Sequence, residues 1–573
     1  MTDFLSQPDA VFLNPWRDGG LQLLRRPEKT WQSMPKTRIA GVAASAEKET
    51  TAQLEKLIRT AERDRNFAEA ICFASVPVLI DNASFVKSYV AVRDQLLLSG
   101  AVGTRLLNRY RWVHEEAGLD GNDRLDAYFA TCREKNAAAE IPAISDLLET
   151  DIAFAVPCRN TFNYFHFLTE SLCQLTLLDE INFEGDIIFH FPNPEDRQRP
   201  FAKAFVEALF PEYVGRVHFQ RAPRHYDKVM TGYDMAGGLF QAPEADIAGI
   251  ADLLPDSLKK KGGVTSVAAR RPLSANIVNA SLLALRERAL KAIEGQDFSH
   301  LPKRFFVGRD DRRSRMRRME GEDMLFEHLD LFGFDYVVFE SLDPLEQIAL
   351  MAGAEIMVSY HGAGFTNMLF ANPDACVIEL GNLQTAQQRW GDFWPLAHAA
   401  GCTYVTFFGD TKEEDPEELA QRDTGGLASV SISREATGQI MAFIVSFLGQ
   451  YPTLKSAGTV EKLARTLLRV GAKEHAMAVL ENHAELLAGH AELCLLKADC
   501  HKAMHETKSE LVALDSAFKA DPSRWQMLIR IIWCANSCER PQVIRWALSR
   551  LKADFPERHA AFISNHDWIR YVA

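Results

Sequence analysis

The chain has 573 residues, a formal net charge of −13 and a pI near 5.7, and 47% of its residues are hydrophobic. This length predicts three or four domains, and the acidic balance excludes the basic footprint of a general nucleic-acid binder. The ten cysteines form no paired zinc-like spacing, and no stretch approaches the roughly 20 apolar residues of a membrane span.

Residues 1–70 predict a helical or irregular N-terminal segment, with a charged surface helix around 49–71. The first twenty residues lack the basic start and the apolar core of a signal peptide. We therefore expect a cytoplasmic protein, and peripheral contact with the inner face of a membrane stays open.

Residues 71–295 alternate between strand and helix patterns and predict a Rossmann-like domain. Such alternation is typical of a parallel sheet that is covered by helices. The region from about 235 to 300 is less regular, and we place the interdomain connection there. The strand patterns are at 75–92, 151–160, 185–191 and 215–220, and the helix patterns are at 161–181 and 199–211.

Residues 296–452 repeat the alternation and predict a second Rossmann-like domain. A glycine follows one of its helix patterns and a proline begins another, and these residues are common at helix ends and starts, respectively. The strand patterns are at 303–309, 335–340, 355–360, 375–381 and 403–409, and the helix patterns are at 322–333, 343–354 and 364–370.

Residues 453–573 lose the strand signal and predict an all-α domain of helical hairpins. Leu493 and Trp525 begin comparable helices at nearly equal spacing, which is typical of tetratricopeptide (TPR)-like repeats. An irregular helical bundle fits the same pattern nearly as well.

The stretch VSYHGAGFTNMLF (358–370) passes from a strand pattern through two glycines into a helix pattern. A helix that begins at the carboxyl end of a parallel strand favours an anion, and glycine lets a phosphate approach the backbone. The alternative is a tight turn without a ligand. The candidate phosphate-binding residues are His361, Gly362, Ala363, Gly364, Thr366 and Asn367.

A run of arginines follows the strand pattern at 303–309. Guanidinium groups match phosphate oxygens and keep their charge. Arg309 is closest to the strand end and is the best candidate for a pocket, with Arg312 and Arg313 behind it. The alternatives are a solvated charge run and an RNA-contacting loop, although no aromatic residues are interleaved for base stacking.

Three polar residues share one face of the helix pattern at 161–181. Asn163, His166 and Glu170 are spaced i, i+3 and i+7. A histidine next to a carboxylate can act as a general base near neutral pH, so His166 or Glu170 is the candidate base. The alternative is a histidine that is satisfied inside a helix interface.

Glu379 ends the strand pattern at 375–381 and could accept hydrogen bonds from ribose hydroxyls, or it could cap a helix. No D-x-D motif and no P-loop is present, which argues against a metal site of that kind and against ATP hydrolysis.

The order of these motifs resembles the family 61 glycosyltransferases, a GT-B-type family that includes bacterial capsular polysaccharide enzymes. The resemblance covers about 150–410 and is strongest in three blocks: NYFHFLTESL (163–172), FFVGRDDRRSR (305–315) and the block from GFDYVVFE to VIEL (333–380). It implies two Rossmann-like domains, with a nucleotide sugar, UDP-linked, on the C-terminal one and a glycan acceptor on the other. It also implies inverting, metal-independent transfer, so we expect neither a metal nor another cofactor.

Two rival interpretations stay open. One is a non-catalytic scaffold that keeps the α/β shell and recruits a protein partner through its helical tail. The other is an enzyme of another class that binds the same phosphates, such as an epimerase of the nucleotide sugar. Binding of UDP-sugars separates the first from an enzyme, and product formation without an acceptor identifies the second.

Overall fold

The computed structural model describes residues 3–86, 88–144, 151–159, 163–179, 181–191, 200–309, 319–411 and 427–571. Two compact units divide the chain. The first, called the α/β unit below, is Met1–Ala43, Ala52–Met316 and Tyr336–Phe408, and the second, called the helical unit, is Ala44–Thr51, Arg317–Asp335 and Gly409–Ala573.

The strands of the described residues are short, apart from the two long strands β5 and β11. In chain order they are β1 Leu21–Leu23, β2 Trp31–Met34, β3 Ile39–Ala43, β4 Ala70–Phe73, β5 Ser75–Val86, β6 Tyr89–Val92, β7 Gln95–Leu96, β8 Phe154–Pro157, β9 Ile187–Phe191, β10 Val217–Arg221, β11 Arg224–Asp234, β12 Ile277–Asn279, β13 Arg304–Val307, β14 Asp335–Val337, β15 Ile356–Tyr360, β16 Cys376–Gly381, β17 Thr403–Phe408, β18 Asp410–Thr411 and β19 Val430–Ser431.

The first sheet of the α/β unit is mixed, which corrects the prediction of a parallel sheet. Its strand order is β10-β9-β8-β11-β5-β6-β7, and β1 pairs with β5. β8 to β11 run parallel to one another, whereas β5 is antiparallel to both β11 and β6. The charged first half of β11 hides this long strand from pattern analysis. β5 also continues through Asp81 and Asn82, and Asn82 adopts a left-handed backbone inside the strand.

The second sheet of the α/β unit has the order β14-β13-β15-β16-β17-β3, and its pairs from β13 to β3 are all parallel. Every residue of β15 and β16 is buried, as central parallel strands require. The carboxyl ends of these strands meet at one edge of the sheet, where ligands bind in open α/β folds.

The N-terminal segment is more than the helical or irregular region that its sequence predicts. β1 joins the mixed sheet and β3 completes an edge of the parallel sheet. β2 pairs with β4 in a small third sheet that also contains β12. The segment therefore contributes one strand to each of three sheets.

The helix Ala280–Ala292 helps to form a core that both large sheets share. Its buried residues Leu282, Leu285 and Ala289 are spaced i, i+3 and i+7, so they lie on one face. The helix packs on elements that follow β8 and on elements that flank β15. Burying each leucine contributes about 1.5–3 kcal/mol, so this one helix contributes substantially to the core.

The helices of the α/β unit flank the sheets. They are Pro8–Val11, Lys48–Arg65 (whose first turn is in the helical unit), Gly100–Glu116, Gly121–Asn136, Tyr164–His166, Pro200–Leu209, Glu244–Ile247, Ile250–Leu253, Asp256–Lys259, Val267–Asn276, Ala280–Ala292, Pro344–Ala352, Leu383–Gln388 and Trp394–Ala400.

The C-terminal part of the helical unit consists of successive helices that pack against their neighbours, which confirms the predicted class of α/β followed by an all-helical region. In the described part of the chain, no helix is both long and apolar enough to cross a membrane. The helices of this unit are Glu322–Leu329, Arg434–Leu448, Ala457–Arg469, Lys473–Glu481, Ala484–Leu487, Ala491–Ala503, Thr507–Ala520, Trp525–Ser537, Pro541–Asp554 and Pro556–Asn565.

Candidate active site

The glycine turn follows β15 at the carboxyl edge of the parallel sheet. The helix that we expected after it is a 3₁₀ helix, Ala363–Phe370. Gly362 has an extended backbone with φ of 177°, so its conformation does not require glycine. A Cβ at this position would instead lie 3.0 Å from Nη2 of Arg309. The glycine therefore makes room for a guanidinium group, and Arg309 lies directly against the turn.

Arg309 is held beside the turn by an aromatic ring. Its guanidinium carbon lies 4.9 Å from the centroid of the Tyr360 ring, the last residue of β15. The side chain is half-buried, and among the described residues no carboxylate pairs with it. A charged donor that is fixed but unpaired can serve an anionic ligand. Arg312 and Arg313 lie outside the described residues.

His361 is oriented by a buried carboxylate. Its Nδ1 lies 2.5 Å from Oε1 of Glu379, which is 1% exposed. The other carboxylate oxygen accepts from the hydroxyls of Tyr404, at 2.5 Å, and Thr406, at 3.0 Å. Burial and the charge of Glu379 raise the pKa of Tyr404 well above its ordinary value, so its hydroxyl stays a donor. This corrects the expectation that Glu379 contacts ribose, because both of its oxygens are used inside the protein.

Two other predicted ligands of the turn are also used internally. The Thr366 hydroxyl donates to the carbonyl of Ala363 at 2.6 Å. Asn367 accepts from the Tyr164 hydroxyl at 2.5 Å and donates to Gln347 at 3.2 Å. Thr366 and Asn367 are fully buried, so they stabilise the turn and are not available to a phosphate.

The segment after β8 is not the single α-helix that its pattern predicts. A short helix at Tyr164–His166 leads into a π-helical turn, Phe167–Ser171, and then into a 3₁₀ stretch. Asn163 caps the start, with its Oδ1 accepting from the backbone N–H of His166 at 3.2 Å. Such π-helical turns are rare and are frequent at functional sites.

His166 and Glu170 form a hydrogen-bonded dyad, and two arginines contact it. Nδ1 of His166 lies 2.8 Å from Oε1 of Glu170, and Arg105 donates to both oxygens of Glu170 at 2.7 Å. Nη1 of Arg159 lies 2.8 Å from Nε2 of His166. Because a guanidinium has no acceptor, Nε2 accepts this hydrogen bond and the ring proton is on Nδ1. The structure thus holds a neutral imidazole that donates to Glu170.

Glu170 is held as a carboxylate. Burial alone raises the pKa of this group, but the hydrogen bond from His166 and the charge of Arg105 outweigh it and lower the pKa to about 2. The carboxylate also has partners on both oxygens. Glu170 is therefore suited to orient His166, and it is a poor candidate for the base itself.

The rings of two phenylalanines connect the two histidines, and the region that these four rings form together with Arg309 is called the cleft below. The Phe393 ring lies 5.0 Å from the His361 ring and 5.7 Å from the Phe165 ring. Phe165 lies 5.2 Å from the His166 ring. The structure thus brings together the three predicted residues His166, Arg309 and His361 in one region of the α/β unit.

The loop before Phe393 adds residues that pattern analysis missed. Gly391 has a left-handed backbone (φ 126°), so a side chain there would be strained. The Asp392 side chain is 42% exposed, and its partial burial raises its pKa against the opposing charges of Arg389 and His361. The sequence RWGDF (389–393) indicates a functional loop only weakly, through a glycine beside charged residues after β16.

Arg105 and Arg159 were missed for different reasons. Arg159 lies just after β8, as catalytic residues of parallel strands often do, and could have been singled out. Arg105 comes from the helix Gly100–Glu116, and no local pattern connects it with His166. In the described residues, no group of three histidine, cysteine or acidic side chains is arranged to hold a metal ion.

Solved structures of MamA resemble part of the chain. The crystal structure of MamA is 14% identical, with a TM-score of 0.18, over 25% of this chain and 77% of that one. The structure of MamA from Desulfovibrio magneticus RS-1, from residue 41 to the end, is 12% identical, with a TM-score of 0.18, over 26% of this chain and 78% of that one.

Sequence comparisons match parts of the chain to glycosyltransferases. An EGF domain-specific O-linked N-acetylglucosamine transferase of Drosophila melanogaster is 34% identical over 99 residues. This match spans 17% of the chain and 18% of that protein, so the chain covers less than a fifth of its relative. The family model described as Glycosyltransferase 61 matches residues 164–378, which include His166, Arg309 and His361. Residues 164–378 of this chain therefore match the glycosyltransferase 61 family.

Proposed function

We propose that this protein is a glycosyltransferase that moves a sugar from a UDP-linked donor to a hydroxyl group of a glycan or polysaccharide acceptor. One observation carries the proposal: Arg309, which no described carboxylate pairs, lies against the glycine turn, in the same cleft as the dyad of His166 and Glu170. The family of residues 164–378 supports sugar transfer as the reaction.

The donor diphosphate would bind where Arg309 meets the glycine turn. The first N–H groups of a helix have no partner inside the helix, so the start of Ala363–Phe370 adds donors to the guanidinium. Nε2 of His361 is the third candidate, because Glu379 occupies Nδ1. As the sugar leaves, negative charge grows on the diphosphate oxygen, and one donor placed there is worth about 2.7–4 kcal/mol in the transition state.

His166 would accept the proton of the acceptor hydroxyl. The hydroxyl oxygen bonds to the anomeric carbon while the bond from that carbon to the diphosphate oxygen breaks. The proton goes to Nε2 of His166, and the nucleoside diphosphate leaves with the bonding electrons. Glu170 keeps the ring oriented and stabilises the imidazolium that forms. Attack from the face opposite the leaving group inverts the anomeric centre, and the cationic groups of the cleft take the place of a metal ion.

Calorimetry with UDP tests the donor site. We expect Arg309→Gln to weaken UDP binding about 10- to 100-fold, because a hydrogen bond to a charged group contributes about 1.5–3 kcal/mol. Arg59→Gln on the helix Lys48–Arg65 is the matched control and should bind like the wild type, since Arg59 is exposed and pairs with the exposed Glu55. An unchanged affinity in Arg309→Gln removes Arg309 from the site.

A transfer assay tests the base. We expect His166→Gln to reduce sugar transfer by about 10²- to 10⁴-fold while its UDP affinity stays that of the wild type. His225→Gln, at an exposed histidine of β11, should transfer normally. Absence of UDP binding in the wild type would favour the scaffold interpretation, and a changed nucleotide sugar released without an acceptor would favour an epimerase. We also expect sugar transfer to continue in the presence of EDTA, because the proposed mechanism uses no metal ion.

A further inference from the structure

Both ring nitrogens of His166 are occupied in this structure. Glu170 accepts from Nδ1, and Arg159 donates to Nε2. The lone pair that would take the acceptor proton is therefore not available. If His166 is the base, then Arg159 has to leave Nε2 before or during acceptor binding.

Arg159 is weakly held where it is. Its side chain is exposed, and no carboxylate pairs with it among the described residues. Partial burial and the charges of Arg105 and Arg389 lower the pKa of Arg159, while Glu170 and Asp392 act in the opposite direction. A guanidinium bonded to a neutral nitrogen gains more from an anionic oxygen, because the opposite charge adds Coulomb attraction to the hydrogen bond.

Further cationic groups lie near Arg159 and Asp392. Arg389 contacts Asp392 only at 3.6 Å, and Arg271 donates to the backbone carbonyl of Gln387 at 3.0 Å. Asp392 lies within the field of both arginines and of His361. The carboxylate of Glu170 is already neutralised by Arg105. Among these described residues, positive charge therefore exceeds unpaired negative charge, and such a surface attracts anions.

We propose that the acceptor carries an anionic group, a carboxylate or a phosphate, close to the hydroxyl that is glycosylated, and that this group draws Arg159 away from Nε2 of His166. The inference rests on the proposed function, because it concerns the acceptor of the same reaction. It makes base activation depend on the acceptor: His166 is released when an anionic glycan is bound, and water alone does not release it. A neutral glycan leaves Arg159 on the base.

The same anionic chemistry could also come from the donor diphosphate. The geometry favours the acceptor, because Arg159 contacts the candidate base of the mixed sheet, whereas Arg309 and the glycine turn belong to the parallel sheet. The two sources make different predictions for UDP binding. An acceptor contact leaves the UDP affinity of Arg159→Ala unchanged, and a donor contact lowers it as strongly as Arg309→Gln does.

The test uses pairs of sugars that differ in charge. Methyl glucuronide is compared with methyl glucoside, and glucose 6-phosphate with glucose, by calorimetry on the full chain. We expect at least one charged sugar to bind the wild type about ten-fold more tightly than its neutral partner. Arg159→Ala should lose this preference, Arg159→Lys should keep part of it, and the exposed control Arg59→Ala should keep all of it.

A spectroscopic readout follows the release of the base. In NMR spectra of protein with ¹⁵N-labelled histidine, the Nε2 signal of His166 is identified by its absence from the His166→Gln variant. This signal should shift when the charged sugar is added. In Arg159→Ala that signal should already be shifted without any sugar. A merely structural Arg159 would instead change the melting temperature and leave the charge preference intact.

The outcomes separate the inference from the proposed function. Equal binding of charged and neutral sugars, or UDP binding that weakens in Arg159→Ala, overturns the inference while sugar transfer stands. The protein could instead prefer charged sugars through Arg159 and yet fail to bind UDP. That result would support the anion site and contradict the sugar-transfer proposal.

Discussion

Replacing Glu170 by glutamine removes the buried charge that Arg105 and His166 hold in place. The pKa of Glu170 is lowered from its ordinary 4.5 to about 2 in the folded protein. A difference of this size is worth about 3 kcal/mol of folding stability at neutral pH. We therefore expect Glu170→Gln to unfold about 3 kcal/mol more easily than the wild type at pH 7.

The sign of the pH dependence follows from the lowered pKa. Because the folded protein binds the proton more weakly than the unfolded chain does, the stabilisation is complete above pH 4.5. It is lost as the pH falls from 4.5 towards 2. The difference in the free energy of unfolding between wild type and Glu170→Gln should be constant from pH 7 to about pH 5 and should then shrink.

Urea denaturation followed by tryptophan fluorescence measures this difference at pH 7, 5, 4 and 3. Glu207→Gln is the matched control, because Glu207 is exposed and pairs with Lys203 on the same helix, at 3.5 Å. The control should stay within about 0.5 kcal/mol of the wild type at each pH. A Glu170→Gln protein as stable as the wild type at pH 7, or a difference that does not change with pH, would refute the assigned ion pair.

Three other substitutions probe the donor side. Gly362→Ala should weaken UDP binding about ten-fold, because the added methyl group displaces the guanidinium of Arg309; calorimetry that finds wild-type affinity would contradict this contact. Asn367→Ala should lower the free energy of unfolding by about 1–3 kcal/mol, since it leaves buried polar partners unpaired, and an unchanged urea midpoint would be the opposing result. Tyr404→Phe should cost about 1.5–3 kcal/mol of stability by removing a hydroxyl from the buried Glu379, and the same urea measurement decides it.

The residues that the sequence identified lie at ends of strands. Arg309 follows β13 and His361 follows β15, and parallel pairing brings the ends of these neighbouring strands together. The spacing of His166 and Glu170 also predicted their contact correctly, although the backbone between them includes a π-helical turn. Local periodicity was sufficient in these cases, because the partners are close in sequence or in adjacent strands.

The roles of other residues depend on contacts that no local pattern records. Glu379 looked like a ribose ligand, but Tyr404 and Thr406 on the neighbouring strand β17 turn its carboxylate into a support for His361. Asn367 looked like a phosphate donor, yet the hydroxyl of Tyr164, which is distant in the sequence, occupies it. Arg105 reaches Glu170 from a separate helix. Such side-chain pairings come from tertiary packing, which the sequence of one segment does not contain.

The arrangement of the cleft is tested most directly by a crystal structure of the protein with UDP bound. The account predicts that the diphosphate lies within hydrogen-bonding distance of the Arg309 guanidinium and of the backbone amides after Gly362, with the phosphate end directed towards His166. A nucleotide bound elsewhere on the protein, with Arg309 still stacked on Tyr360 and no phosphate at the glycine turn, would contradict it.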